Sequence, residues 1–175
     1  MQDLQYPIGK FSPPLRINDK QRAEYISDIE ALPEQIRHAV ASLSDEQLDT
    51  PYRPGGWTIR QVVHHLPDSH ANSYIRFKWA LTEDHPTIKA YDEKSWAELP
   101  DAKHSDIKAS IEMLAGIHQR WVKLLRNMTE DDWRRSFIHP ETKKSIPLAY
   151  NLALYSWHGK HHLKHITNCI ELHQW

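Results

Sequence analysis

Apolar residues recur in steps of three and four over four long stretches of this chain, and the stretches between them carry proline and charge. From Asp19 to Leu43, the residues Ile26, Ile29, Leu32, Ile36, Val40 and Leu43 fall on one face of a helix, in which Pro33 predicts a kink or break. A second helix is expected from Thr58 through Ile59, Val63, Leu66, Tyr74, Phe77 and Leu81. Gln61, three places after Thr58, completes a capping box at its start, and Pro67 is expected to interrupt it. The third pattern is the cleanest: after Ser105, the residues Ile107, Ile111, Leu114, Ile117, Trp121, Leu124 and Met128 hold the helical period. The fourth helix is expected from about Pro147, which suits a first turn, to His173, with Leu148, Leu152, Tyr155, Leu163, Ile166 and Ile170 as its stripe.

The connections complete the outline. Residues 1–17 hold Pro7, Pro13 and Pro14 and no helical period, which predicts an extended arm on the surface of the body. The segment from Glu83 to Lys103 is long enough to let the second and third helices run in the same direction, with one short helical turn expected at Glu93 to Leu99. Thr129 to Trp133 suggests a small capped turn, and FIHPETKKSIP an exposed loop or short hairpin. No strand pattern competes with the four amphipathic helices. The expected fold is therefore all-α, a four-helix bundle forming a single domain over residues 1–175.

Charge and composition remove several functions. Lys and Arg number 22 against 23 Asp and Glu, so no uniform positive field exists to grip nucleic acid. No run approaches the roughly 20 apolar residues of a membrane helix, and MQDLQYPIGKF lacks a basic segment followed by an apolar run, so a cytoplasmic location is expected. Cys169 stands alone, which excludes an internal disulfide framework. What stands out is 13 histidines, because neutral imidazole is a common transition-metal ligand at pH 7.

The run WHGKHHLKH on the fourth helix contains two i, i+4 histidine pairs. With about 100° of rotation per residue, His158 and His162 lie roughly 60° from the centre of the apolar stripe and His161 and His165 roughly 120° away. The first pair flanks the core and is preferred as the chelating pair. A catalytic site of this kind needs a third protein ligand, and facing helices of a bundle can supply it. The second helix offers His64, His65 and His70. His70 falls on the core stripe, while His64 and His65 flank it on opposite sides, and periodicity does not choose between those two. His65, Ser69, Asn72 and Arg76 recur on one polar stripe, where Arg76 suits an anionic substrate group and a solvated face explains the pattern equally well.

The run TPYRPGGWTIRQVVHHLPDSH, followed nearly a hundred residues later by YSWHGKHHLKHI, resembles the DinB/YfiT-like superfamily of metal-dependent hydrolases, in particular its YfiT and bacillithiol S-transferase branch. The resemblance takes in the arm YPIGKF and the loop YDEKSW, hence essentially the whole chain. It implies a histidine ligand eight residues after a helix-start tryptophan, which maps from Trp57 onto His65, and an H-x-x-x-H on the last helix, which maps onto His158 and His162. Pro67 departs from the family pattern, in which a small helix former is expected. The resemblance also implies a homodimer.

Three neutral imidazoles would leave a divalent metal, with Zn or Ni the expected ions, able to activate water or a thiol. The expected activity is that of a metal-dependent hydrolase or of a bacillithiol-type S-transferase acting on a small-molecule substrate. The run lacks the glutamate of H-E-x-x-H, so a general base is not built into this helix. Asp68 is expected to face solvent or another chain. Tyr155, His161 and His165 lie nearer the site without an assigned role, Cys169 reads as packing, and Trp57 and Trp121 are explained by packing as well. The competing classes are a closed metal-binding bundle, with His70 or His165 as fourth ligand, and a metal-free helical interaction module.

Overall fold

The computed structural model describes residues 4–175. Along the chain run α1 (Asp19–Val40), α2 (Asp45–Leu48), α3 (Ile59–Thr82), α4 (Glu93–Ala97), α5 (Pro100–His104), α6 (Ile107–Leu125) and α7 (Glu130–Arg134). Then come strands β1 (Ser136–Ile138) and β2 (Ser145–Pro147), and α8 (Leu148–His173). The four long helices are α1, α3, α6 and α8, and they build the expected all-α bundle. Their starts are chemically specified. Asn18 and Gln21 form a capping box for α1, and Thr58 and Gln61 form the expected one for α3. The Asp106 side chain accepts from Lys108 N at the start of α6. Pro147 lies one place outside α8, as its N-cap, rather than in the first turn.

Contacts give the directions. His64 meets Ser110, His70 meets His118 and Phe77 meets Trp121, so positions rise together along α3 and α6 and the two helices are parallel. Ile26 and Ile29 share a cluster with Leu148 and Leu152, whereas Ile36 and Val40 share one with Ile166 and Cys169, so α1 and α8 are also parallel. Phe77 belongs with Ile26, and Ile59 with Val40, so α3 runs against α1. The bundle is thus two parallel pairs set antiparallel, and the long connection through α4 and α5 makes this possible, as expected.

The breaks expected at Pro33 and Pro67 do not occur: α1 and α3 continue through both prolines. A proline inside a helix removes one backbone hydrogen bond, at a local cost of about 3 kcal/mol, and leaves the carbonyl four residues earlier without its helical partner. Leu32 and Ile36 around Pro33, and Leu66 and His70 around Pro67, are buried on the core face, and tertiary packing of that face holds each helix in line. The carbonyl that Pro33 releases belongs to Ile29.

Two short helices were not expected. The first helix stops at Val40, and Ser44 with Gln47 caps α2. Pro100, inside the long connection, starts α5 at a first-turn position. Arg60, 5% exposed, ties these pieces down by donating to Asp45 (2.7 Å), Asp49 (2.6 Å) and the Ser105 carbonyl (3.1 Å). The FIHPETKKSIP segment is a hairpin, with Phe137 opposite Ile146. Among the described residues no helix is long and apolar enough to cross a membrane.

Gly159 is the contact point between α8 and α1. A Cβ there would stand 2.6 Å from Leu32 Cδ2, inside van der Waals contact, and Leu32 is itself 2% exposed with little room to move. Gly159→Ala is expected to destabilise the protein by about 1–2 kcal/mol: overpacking costs about 1–3 kcal/mol, and alanine's better helix propensity returns up to about 1. Urea unfolding of the two proteins measures the difference, and an alanine variant more stable than the parent would contradict this close approach.

Candidate metal centre

His158 and His162 stand one turn apart on α8, and α3 brings His65 against them. The ligand-capable nitrogens of these three rings lie within 4.8 Å of one another, and His65 Nε2 is 3.3 Å from His158 Nε2. Nitrogens on one tetrahedral ion with bonds of about 2.0–2.1 Å are separated by about 3.3–3.4 Å. The donor set and the spacing of this pair therefore fit a divalent ion with imidazole ligation.

Burial sets the protonation state that such ligation needs. Desolvation pushes His65 from 6.5 down to about 4, and pushes His158 and His162 well below their ordinary range, the neighbouring imidazoles adding to the shift. All three rings are neutral at pH 7, with a lone pair to offer.

The structure separates the two adjacent histidines that periodicity left tied. His64 turns toward α6, with Nδ1 2.7 Å from Ser110 Oγ and Nε2 3.2 Å from the Ser105 carbonyl. His70 is fully buried and meets His158 from behind: its Nε2 is 3.2 Å from His158 Nδ1, the nitrogen that does not face His65. His165 stands in the same relation to His162, Nδ1 to Nδ1 at 3.4 Å, and its Nε2 is 3.2 Å from the Gln5 carbonyl. Neither belongs to the converging set of three.

His161 and His165, which the helical wheel turns furthest from the apolar stripe, are buried, because the N-terminal arm and the loop before α3 cover that flank. Tyr6 lies 5.9 Å from the His161 ring, Trp157 stacks on that ring at 4.5 Å, and Tyr52 stacks on His165 at 4.0 Å. A helical wheel of α8 carries no information about a distant segment laid over it. Asp68 likewise is half-buried rather than free in solvent, and burial, aided by Asp101 on α5, raises its pKa to about 6. The unforeseen α5 is the reason.

The surroundings are aromatic and of mixed charge. Trp57, expected only to pack, stands 4.8 Å from the His65 ring and 6.4 Å from His162, and so forms a wall of the site. Cys169 is core, with burial pushing its thiol pKa up. A cavity of about 660 Å³ opens over the three rings between Tyr52, Arg53, Trp57 and Trp157. A second, of about 730 Å³, approaches His158 from the side of Ser69, Arg76, Tyr91 and Tyr155. His158, Glu93 and Lys94 line both. Gln61 Nε2 donates to the Ala97 carbonyl at 2.8 Å, and this bond holds α4, with its Glu93 and Lys94, at the mouth.

Sequence reading missed His118. It is 1% exposed on α6, with Nε2 2.8 Å from His70 Nδ1. A signal existed: Leu114, His118 and Trp121 lie at helical spacing on one stripe, so a histidine occupies a core position.

An all-helical bundle that gathers three neutral imidazoles beneath an open cavity defines a class of metal-site helical protein. The DinB superfamily, as a sequence family, matches residues 28–166, and the chain belongs to it. It is 49% identical over 173 residues to the Bacillus subtilis (strain 168) protein named "Putative metal-dependent hydrolase YfiT", covering 99% of this chain and 97% of that one. A Bacillus cereus (strain ATCC 10987) protein with the same functional name is 50% identical over 175 residues, the full length of both. The solved structure of Bacillus subtilis YfiT, described as a probable metal-dependent hydrolase with an unusual four-helix bundle topology, superposes with a TM-score of 0.96 over 98% of each chain. A mycothiol-dependent maleylpyruvate isomerase shares the fold alone, at 13% identity and a TM-score of 0.62 over 80% of this chain and 60% of that one.

The buried histidines make metal-free stability dependent on pH. Burial lowers His118, His161 and His165 from 6.5 to about 4, so below about 6.5 the unfolded chain binds protons that the folded chain does not. Their stabilising contribution is complete above about 6.5 and is lost as pH falls toward about 4. Asp68, raised to about 6, works in the opposite sense and offsets one such proton. Urea unfolding of metal-free protein between about pH 7.5 and 5 is expected to lose about 1.4 kcal/mol per pH unit for each net proton taken up. A flat profile would contradict the neutral interior.

Proposed function

We propose that this protein is a metal-dependent enzyme that holds one divalent ion, Zn or Ni, through His65, His158 and His162, and acts on a small-molecule substrate. The observation that carries the reading is the convergence of three neutral imidazoles from two helices under an open cavity. The metal-dependent hydrolase names of relatives about half identical over the whole chain support it. When bound, the ion supplies Lewis acidity, lowering the pKa of a coordinated water toward about 7 or ionising a coordinated thiol.

The chain's own residues do the rest. Trp57 closes one side of the site and restricts water. Tyr155 Oη donates to the Ser69 carbonyl at 3.2 Å, so its hydroxyl proton is already committed, and its ring lies 5.4 Å from that of His158. Arg76, Lys94 and His139 line the second cavity, where an anionic group of a substrate would find them.

Hydrolysis is the first reading. Transfer of a low-molecular-weight thiol of the bacillithiol type is the second, and one observation favours it. Among the described residues no carboxylate hydrogen-bonds to any of the three rings. Of the acids that line the cavity over the three rings, Glu93 is exposed, and Glu98 is exposed and engaged by Lys103 at 2.8 Å; Asp92 and Glu141, which line the second cavity, are exposed as well. An attacking water needs a base to take its proton, whereas a thiol is ionised by coordination.

Metal analysis of untagged protein is expected to give about one equivalent in the parent and little in His65→Ala or His158→Ala. An equivalent retained in both variants would defeat the ligand set. With one electrophile offered to metal-loaded protein, thiol consumption exceeding hydrolysis is the outcome expected of a transferase; product formed without any thiol consumed would remove that reading.

A further inference from the structure

Behind the three converging rings lies a line of histidines that the metal reading does not use. His118 Nδ1 is 2.5 Å from the Ile29 carbonyl, His118 Nε2 is 2.8 Å from His70 Nδ1, and His70 Nε2 is 3.2 Å from His158 Nδ1. The line crosses the bundle from α1 through α6 and α3 to α8. His70 is fully buried and His118 is 1% exposed. Among the described residues no carboxylate hydrogen-bonds to either, so nothing there supports a charged ring.

The direction of every bond follows from one end. A carbonyl oxygen only accepts, so His118 carries its proton on Nδ1 and presents a lone pair at Nε2. His70 must then donate from Nδ1, which leaves its own Nε2 as an acceptor. His158 must donate from Nδ1 in turn, and its Nε2 is left with a bare lone pair, aimed at His65. In water neutral imidazole prefers the other tautomer, with the proton on Nε2, which would block this nitrogen as a ligand. A charged His118 would reverse the two bonds between imidazoles, His118 to His70 and His70 to His158, and place a proton on His158 Nε2.

Pro33 supplies the terminus. Its ring removes the N–H that would otherwise bond the Ile29 carbonyl within α1, and so leaves a strong acceptor facing the bundle interior.

The structure assigns to His118 and His70 a positioning role: anchored on the Ile29 carbonyl freed by Pro33, they lock His158 in the Nδ1–H tautomer and orient its Nε2 toward the metal site. Fixing the tautomer and ring orientation of a ligand histidine from behind raises affinity, and its loss typically costs about 10–100-fold. His162 is served by a shorter arrangement of the same kind, through His165 to the Gln5 carbonyl.

The assignment rests on the three-histidine reading for its consequence, and the two can fail separately. Long-range proton–nitrogen correlation spectra of histidine-labelled, metal-free protein at neutral pH are expected to show His118, His70 and His158 all neutral and protonated on Nδ1. A proton on Nε2 of His118 or His70 overturns the relay whether or not metal binds. Zinc affinity, measured by competition with a chelating dye, is expected to fall about 10–100-fold in His118→Leu. It should recover most of that loss in His118→Gln, whose amide supplies one donor and one acceptor. Equal affinities in the parent and His118→Leu overturn the positioning role. If His118→Leu does not fold, the spectra of the unmodified protein decide. Failure of the parent to bind zinc with the expected tautomers in place would sink the metal reading and leave the relay standing.

Discussion

A neutral imidazole taken out of water brings one N–H and one lone pair, and each must find a partner or carry the cost of losing water. This constraint governs the interior of the protein. His64, His65, His70, His118, His161, His162 and His165 are all buried, and His158 is half-buried among them. Among the described residues no acidic side chain bonds to any of these rings, so charge cannot satisfy them. Their N–H groups go to backbone carbonyls and to one another, except at His161, whose buried Nδ1 has no hydrogen-bond partner among the described residues. Lone pairs that remain accumulate where His65, His158 and His162 converge, which is the arrangement a borderline divalent cation fits.

The topology follows from getting those rings together. The face of α8 that carries His158 and His162 meets the face of α3 that carries His65, and the histidine line behind them crosses α6 and reaches α1. Two parallel pairs set antiparallel achieve this, at the expense of a long connection between α3 and α6. The connection is used: α4 stands at the mouth of the cavity and α5 covers Asp68, while Arg60 ties α2 to the head of α3. Gly159, between the two α8 histidines in sequence, lets α8 approach Leu32 closely, three residues after Ile29, on whose carbonyl the histidine line ends.

Much of this was legible in the chain as written. The four periodic stretches, the capping box at Thr58 and Gln61, the capped turn at Thr129 and the choice of a bundle all came from spacing, because a helix declares its buried face every three to four residues. The face that holds His158 and His162 was visible for the same reason. The prolines misled. Local chemistry says that Pro33 and Pro67 should break a helix, and burial of the flanking side chains on both sides outweighs that preference.

Periodicity within one helix states which residues share a side and is silent on what stands opposite. It therefore left His64 and His65 tied, and only the family register pointed to His65. The packed structure turns His64 to Ser110 and His65 to α8. It passed over His118, whose importance lies in touching Ile29 from 89 residues away. It turned His161 and His165 away from the apolar stripe and carried no sign that Tyr6, Gln5 and Tyr52 cover them. The sequence by itself determined the helices, their buried faces and the supply of neutral ligands. Which faces meet was decided only by the tertiary structure, because contacts between distant segments depend on helix direction, connection length and close approaches such as that of Gly159 to Leu32, and none of these is written as a local repeat.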